Sequence, residues 1–237
     1  MTKNGQSKKI LKFGILLVII SFSTNTFGQT TNATLDKIKD DTKSAKTYLD
    51  LMINIESTNL NYGHSNNALA DYKEPVKGIQ AGLSFQAGIT SRFSLVSELY
   101  FMKKGGTLLA NNPLTANETT LRFSTLELPI LARIHFGKFY INAGPSIAYA
   151  FSGKKSINNE SSSISFNNSS NGFKRFEAGI QFGGGIEFPL KQKRIALDIR
   201  YNYGLSNISN SEEIYNRALM VSVKYSKLWK KNPLGRL

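Results

Sequence analysis

The segment that decides the fold is Phe139–Phe151, with the sequence FYINAGPSIAYAF. Its odd-numbered positions carry Phe, Ile, Ala, Pro, Ile, Tyr and Phe, whereas the positions between them carry mostly small or polar side chains. Successive side chains of a β-strand point to opposite faces, so this period of two predicts a strand that lies between two unlike environments.

The same alternation recurs along the chain. It predicts eight strands, at Tyr48–Tyr62, Lys77–Thr90, Arg92–Lys103, Thr119–Phe136, Lys138–Ser152, Phe173–Phe188, Arg194–Leu205 and Ile214–Trp229. Long and short connections alternate between them, and the long loops are 63–76, 105–118, 153–172 and 206–213. Outer-membrane barrels have long extracellular loops and short periplasmic turns. The sequence therefore predicts an all-β fold, an eight-stranded antiparallel up-and-down transmembrane β-barrel.

The N-terminal residues have the features of a cleavable secretion signal. Four lysines precede a ten-residue stretch, Phe13–Phe22, that is apolar except for Gly14 and Ser21, and the small residues Thr26 and Gly28 follow. The apolar stretch is about half the roughly 20 residues that a spanning helix needs. We therefore expect a signal peptide at 1–28, a periplasmic leader at 29–46, the barrel at 47–229 and a basic tail at 230–237.

Composition excludes several classes of function. The chain has no cysteine, which rules out a lipoprotein anchor, disulfides, thiol catalysis and cysteine metal sites. Its net charge is +14, and loss of the four lysines of the signal would lower it to +10. The basic residues are scattered over turns and tails without an RNA-binding motif, so no nucleic acid is expected as a partner. Outer-membrane lipids with anionic headgroups are the expected partner for this charge.

Three features indicate that the apolar face of the strands contacts lipid. Aromatic residues gather near the strand ends and aliphatic residues fill the middles, as in interfacial aromatic girdles. Glycines concentrate on the polar face, where a narrow eight-stranded lumen needs small residues. The polar face also carries a mixed cluster of charges. We predict that this lumen charge cluster consists of Asp50, Glu56, Glu98, Glu127, Arg133, Arg175, Glu177, Glu187, Asp198, Arg200 and Lys224.

An eight-stranded lumen is just wide enough to be filled by side chains. The charge cluster is therefore predicted to form a polar, salt-bridged plug with a structural role. The alternative is a path for protons or ions.

Four short motifs resemble the PorT-like outer-membrane β-barrel family of Bacteroidetes. They are Glu98–Phe101 followed by Lys103–Gly105, then Leu126–Ile130, Ala143–Pro145 and Arg200–Leu205. The resemblance covers roughly Gly78 to Trp229. It implies a barrel in a bacterial outer membrane and no catalytic residues, and the founding member is associated with type IX secretion and gliding.

Candidate chemistry outside the barrel pattern is sparse. The run Gly183–Gly185 lies inside a predicted strand with no following helix, so it predicts a bend or lumen packing and not a phosphate loop. His135 is expected to fill the lumen. His64 and Ser65, next to each other in the first loop, are the enzymatic candidates. The sequence predicts no catalytic residue, no metal site and no cofactor.

The function predicted from the sequence is a non-enzymatic structural or interaction barrel, an accessory to secretion or to surface adhesion. Its partners would then include other envelope or secretion proteins besides lipid. Two alternatives stay open at this point: an outer-membrane lipid-modifying hydrolase that uses His64, and a soluble secreted ligand-binding barrel with the opposite polarity.

Overall fold

The computed structural model describes residues 46–191 and 193–229. The predicted signal peptide 1–28, the predicted tail 230–237 and the predicted leader 29–46, apart from Lys46, lie outside the described residues. Among the helices of the described residues, none has the length and apolarity to cross a membrane.

The described chain forms nine β-strands joined by turns and loops. They are β1 (Tyr48–Asn61), β2 (Lys73–Gly88), β3 (Phe93–Leu108), β4 (Thr119–Phe136), β5 (Phe139–Ile157), β6 (Glu160–Ser163), β7 (Phe176–Leu190), β8 (Lys193–Gly204) and β9 (Tyr215–Leu228). Two short 3₁₀ turns, Gly63–Asn66 and Ala70–Tyr72, lie between β1 and β2.

Eight of these strands close into an antiparallel barrel. Each pairs with its neighbours in the order β4-β3-β2-β1-β9-β8-β7-β5, and β5 pairs back onto β4. The first and last strands meet over their whole length, from Tyr48 opposite Leu228 to Asn61 opposite Tyr215. Strand β6 pairs with β5 beyond the barrel wall. The predicted fold class is confirmed.

Strands β2, β3 and β5 extend further at the loop end than the alternation predicts. Strand β3 continues to Leu108, β2 begins at Lys73, and the stretch predicted as the loop 153–172 contains the end of β5 and all of β6. Outside a membrane both faces of a strand meet water, so the period-two signal disappears although the hydrogen-bonded ladder continues.

The outer face of the barrel is apolar and the inner face is polar, as expected for a barrel that is embedded in lipid. Ile53 points outward and is 60 % exposed, whereas the next residue, Asn54, points into the lumen and is fully buried. Aromatic rings pack against each other on the outer face near the loop end, with Phe101 and Phe151 5.5 Å apart and Tyr149 5.0 Å from Phe176. Such an apolar outer face is stable against hydrocarbon and not against water. The alternative of a soluble secreted barrel is therefore wrong.

Candidate functional site: the lumen and the loop cup

The lumen is filled by three layers of charged side chains, and the lowest lies near the short turns. Here the Arg194 guanidinium binds Glu187 and lies 3.3 Å from an Asp50 carboxylate oxygen. Arg133 donates to the Gln86 side-chain oxygen at 2.8 Å and lies 3.5 Å from Glu187. This layer forms the inner wall of an open vestibule of about 380 Å³ at the turn end.

The central layer is the most tightly paired. Glu98 lies between two cations, with Arg200 Nη2 at 2.7 Å and Lys224 Nζ at 2.5 Å. Arg200 Nε also lies 2.7 Å from Asp198 Oδ1, and the Tyr140 hydroxyl donates to Asp198 Oδ2 at 2.8 Å. These groups are buried, so the ion pairs occupy the cross-section that an aqueous path would need.

The upper layer has fewer cations than carboxylates. Lys104 Nζ lies 3.1 Å from Glu127 and 3.2 Å from Glu177. Glu56 accepts hydrogen bonds from the Gln80 side-chain amide and, at 3.3 Å, from the backbone N–H of Lys103. The carboxylates of this layer are thus satisfied partly by neutral donors.

The structure brings ten of the eleven predicted charged residues into these layers. They are Asp50, Glu56, Glu98, Glu127, Arg133, Glu177, Glu187, Asp198, Arg200 and Lys224. Two cations that the sequence analysis missed, Lys104 and Arg194, join them. Both share the parity of the lumen positions on their strands, and both lie near strand ends.

The prediction is wrong for Arg175. Strand β7 begins only at Phe176, so the alternation that puts Glu177 in the lumen does not extend to Arg175. Its guanidinium is instead half-buried at the loop end. It donates to the carbonyl oxygens of Ala150 and Phe151, at 3.0 and 3.2 Å, and lies 4.4 Å from the centre of the Phe166 ring.

Glycines on the lumen face make room for the large polar side chains. A Cβ on Gly185 would lie 2.5 Å from the Tyr140 hydroxyl oxygen, and a Cβ on Gly82 would lie 2.4 Å from the Tyr100 Cβ. The run Gly183–Gly185 lies within β7, against β5 and β8, and so serves packing. His135 lies in the lowest layer, with Nε2 3.0 Å from the Ser94 hydroxyl.

An apolar plug closes the loop end of the lumen. It is built from buried residues of five separate parts of the chain, namely Leu60, Tyr62, Leu69, Leu108, Leu121, Phe123, Ile208 and Ile214. Burial raises the pKa of the Tyr62 hydroxyl above its ordinary value, and the nearby Glu212 carboxylate acts in the same direction. The sequence analysis predicted a purely polar plug, because these apolar residues form no periodic pattern.

A cup lies above the plug, between the long loops. It has a volume of about 570 Å³, with a partly apolar lining that includes Leu121, Phe173 and Ile214. Hydroxyl side chains also line it, namely Thr115, Thr119, Ser162, Ser163, Ser165, Ser209 and Ser211. The loops around it are tied together, since the Asn210 side chain donates to the backbone oxygens of Asn167 and Ser169 at 2.8 and 2.9 Å.

The enzymatic candidates lie in a smaller hollow beside the cup. The His64 side chain is 98 % exposed, and its Nε2 lies 3.9 Å from Glu213 Oε2, longer than a hydrogen bond. A histidine that activates a serine is held by hydrogen bonds to both the nucleophile and a third group, and at this distance Glu213 does not hold the solvent-exposed ring in that way. Within residues 46–191 and 193–229, no group of three or more His, Asp and Glu side chains could hold a metal ion.

The outer-membrane protein beta-barrel domain model matches residues 27–210. The chain belongs to this family. The lipid-facing polarity and the closed barrel agree with that membership and place the protein in a bacterial outer membrane.

Solved structures with a similar fold share little sequence with the chain. Ail of Yersinia pestis is 11 % identical, with 76 % of this chain and 99 % of Ail covered and a TM-score of 0.42. OprG of Pseudomonas aeruginosa is 8 % identical, with 79 % and 97 % covered and a TM-score of 0.43. The protease OmpT of Escherichia coli is 8 % identical, with 78 % and 97 % covered and a TM-score of 0.40. Values this low say nothing about what the chain binds or does. Among the curated proteins, none matches the sequence.

Proposed function

We propose that the protein is a non-enzymatic outer-membrane barrel that holds a recognition surface at the cell exterior. In this proposal it is an accessory to secretion or to surface adhesion, as the resemblance to PorT-like barrels of Bacteroidetes implies, and residues 1–28 are removed as a signal peptide. The observation that carries the proposal is the contrast between a filled lumen and an open cup above it.

The filled lumen supports a role that requires no transport. An ion that crossed the barrel would have to displace the pairs of Glu98 with Arg200 and Lys224, and then pass the apolar plug. Separating buried ion pairs leaves uncompensated charges and is strongly unfavourable. The side chains of the lumen therefore act as a rigid core for the barrel.

The cup supports recognition of a partner. Its volume of about 570 Å³ falls within the range of binding sites for small ligands or protruding side chains. An apolar lining combined with hydroxyl groups offers hydrophobic contact together with hydrogen bonds, which is how such sites fix orientation. Because the loops are hydrogen-bonded to each other, less order would have to be gained when a partner binds.

Single substitutions in one loop test this proposal. Leu114 lines the cup, whereas Ala116, two residues further on, is exposed and lies outside the cup lining. In cells that lack the native gene, Leu114→Asp should abolish restoration of secretion or surface attachment, and Ala116→Asp should restore it fully. Both variants should migrate faster on gels when unboiled, which shows a folded barrel. Equal restoration by both variants would contradict recognition through the cup.

A further inference from the structure

A pair of lysines faces outward at the turn end of the barrel. Lys193 in β8 and Lys227 in β9 lie directly opposite each other in the antiparallel register, and both side chains are exposed. Directly opposed residues have Cβ atoms roughly 5 Å apart, and like charges in such positions destabilise the sheet. An anion between the two ammonium groups would replace this repulsion with two attractive contacts.

Among the residues that the structure describes, the outer faces of the neighbouring strands supply no counter-charge to this pair. Within the described residues, the outward positions of β7, β8, β9 and β1 carry no carboxylate, since the acidic residues of these strands point into the lumen. Those residues are Asp50, Glu56, Glu177, Glu187 and Asp198. An anion from outside the barrel would neutralise the lysine pair.

The position of the pair corresponds to the headgroup level of the membrane. The Tyr225 ring centre lies 5.5 Å from Lys193 Nζ, and Trp229 follows Lys227 by two residues and is exposed. Tyrosine and tryptophan mark the membrane–water interface in barrels of this type. Toward the membrane centre the outward residues become aliphatic, beginning with Ile195 and Val223.

The turn end of the barrel is strongly basic overall. Within residues 46–191 and 193–229, six exposed cations surround it, namely Lys46, Arg92, Lys138, Lys191, Lys193 and Lys227. The chain ends of the barrel and its short turns lie at this end, which is the periplasmic end of an outer-membrane barrel. Clustered lysine and arginine residues at a membrane surface attract anionic lipids.

We infer that Lys193 and Lys227 form a binding site for the phosphate of an anionic phospholipid in the periplasmic leaflet, whose acyl chains lie along the outer face of β8 and β9. The two ammonium groups bind the phosphate from neighbouring strands. The aromatic side chain of Tyr225 flanks the headgroup, and the aliphatic stripe that contains Ile195 and Val223 contacts the chains.

Native mass spectrometry of the purified full barrel tests the inference. The protein is released from mixed vesicles of phosphatidylglycerol and phosphatidylethanolamine, and the retained lipids are counted. Wild type should retain phosphatidylglycerol selectively. Lys193→Gln with Lys227→Gln should weaken this retention roughly 25-fold, because each lysine near an anionic surface is worth about a fivefold change in binding.

Matched variants distinguish a specific lipid-binding site from a general attraction of anionic lipid to positive charge. Lys77→Gln with Lys103→Gln removes the same charge from outward positions nearer the loop end and should leave retention unchanged. Lys193→Arg with Lys227→Arg should keep retention, since both cations persist. All variants should show the mobility shift of a folded barrel on unboiled gels.

Three outcomes would overturn the inference. In the first, the Lys193→Gln, Lys227→Gln variant retains phosphatidylglycerol as wild type does. In the second, the Lys77→Gln, Lys103→Gln control loses as much lipid, so that only net charge matters. In the third, wild type binds millimolar glycerol phosphate in the absence of lipid but retains no phosphatidylglycerol, which would mean that the pair binds free phosphate and not a membrane lipid.

Discussion

The two ends of the lumen are closed by opposite chemistry. From the turns to the upper layer, the strands project arginines, lysines and carboxylates that pair with each other, as Glu98 does with Arg200 and Lys224. At the loop end the closure is apolar and includes side chains from the loops, such as Leu69 and Ile208. The fixed register of the paired strands holds polar side chains at hydrogen-bonding distance from each other. Loops have no fixed register, and apolar side chains can pack together without one. We therefore expect the ion-paired part to determine the global stability of the barrel and the plug to determine local order at the surface.

The strongest expected effect comes from breaking the central layer. Arg200→Met leaves Asp198 and Glu98 each short of one cation in a buried position. Removing one partner of a buried ion pair costs about 3–5 kcal/mol in the free energy of unfolding. Urea unfolding in lipid vesicles, followed by the fluorescence of the single tryptophan, Trp229, measures this loss.

The matched control lies one position away. Ile199→Met changes the lipid-facing side of the same strand and should alter the free energy of unfolding by less than about 1 kcal/mol. If Arg200→Met were as stable as Ile199→Met, the ion pairs would not determine the stability of the barrel.

An intermediate effect is expected in the plug. Leu69 is fully buried, so Leu69→Ala should cost about 2 kcal/mol or more through the cavity it leaves. Because Leu69 lies in a loop, we expect the lost stability to appear as local opening of that loop. The protease cleavage rate between β1 and β2 should rise, while the free energy of global unfolding should change little. Leu114→Ala, at a loop leucine that is 47 % exposed, should leave the cleavage rate unchanged. Equal sensitivity in both variants would mean that the plug does not order the loops.

A smaller effect should appear at high pH. Since burial raises the pKa of Tyr62, the folded protein favours the neutral hydroxyl, and this stabilisation is complete below the ordinary tyrosine pKa of about 10. Above that pH the stabilisation that Tyr62 gives to the plug should fall by roughly 1 kcal/mol per pH unit. The rate of protease cleavage between β1 and β2, compared for wild type and Tyr62→Phe at pH 8 and pH 10.5, measures the difference, which should grow with pH. A constant difference would contradict a buried neutral hydroxyl.

No change in lipid composition is expected when the enzymatic candidate His64 is substituted. His64→Ala should leave the lipid A and phospholipid composition of expressing cells identical to wild type, because the His64 ring is 98 % exposed and lies beyond hydrogen-bond distance of Glu213. Lipid mass spectrometry of both strains, with an empty-vector strain as the reference, checks this. A lipid modification that is present with wild type and absent with His64→Ala would establish a hydrolase.

The barrel could be predicted from the sequence because lipid imposes a strict period of two on every spanning strand. The same rule puts Glu98, Glu127 and Asp198 on the lumen face. It does not say which cation meets which carboxylate: Asp50 and Arg194 are brought together only by the stagger of closed strands. That stagger depends on the whole barrel and leaves no local signal in the sequence.

The loop end was predicted less well for a different reason. Above the membrane no period of two is imposed, so the alternation predicts a loop where the structure has strand β6 and the last residues of β3. The plug gathers Leu60, Leu121 and Ile214 from distant strands and loops, and each of them alone resembles an ordinary loop-flanking residue. Tertiary packing, which no local pattern records, creates this part of the molecule.

Conductance across a planar lipid bilayer tests the central claim most directly, because the lumen is closed both by its ion-paired layers and by the apolar plug. Purified wild-type protein, whose folding is verified by its mobility on unboiled gels, should show no steady conductance in concentrated potassium chloride. Leu69→Ala should also remain silent, since the ion-paired layers below the plug stay intact. A stable, reproducible conductance step with wild type would contradict the sealed lumen and would make this barrel a channel.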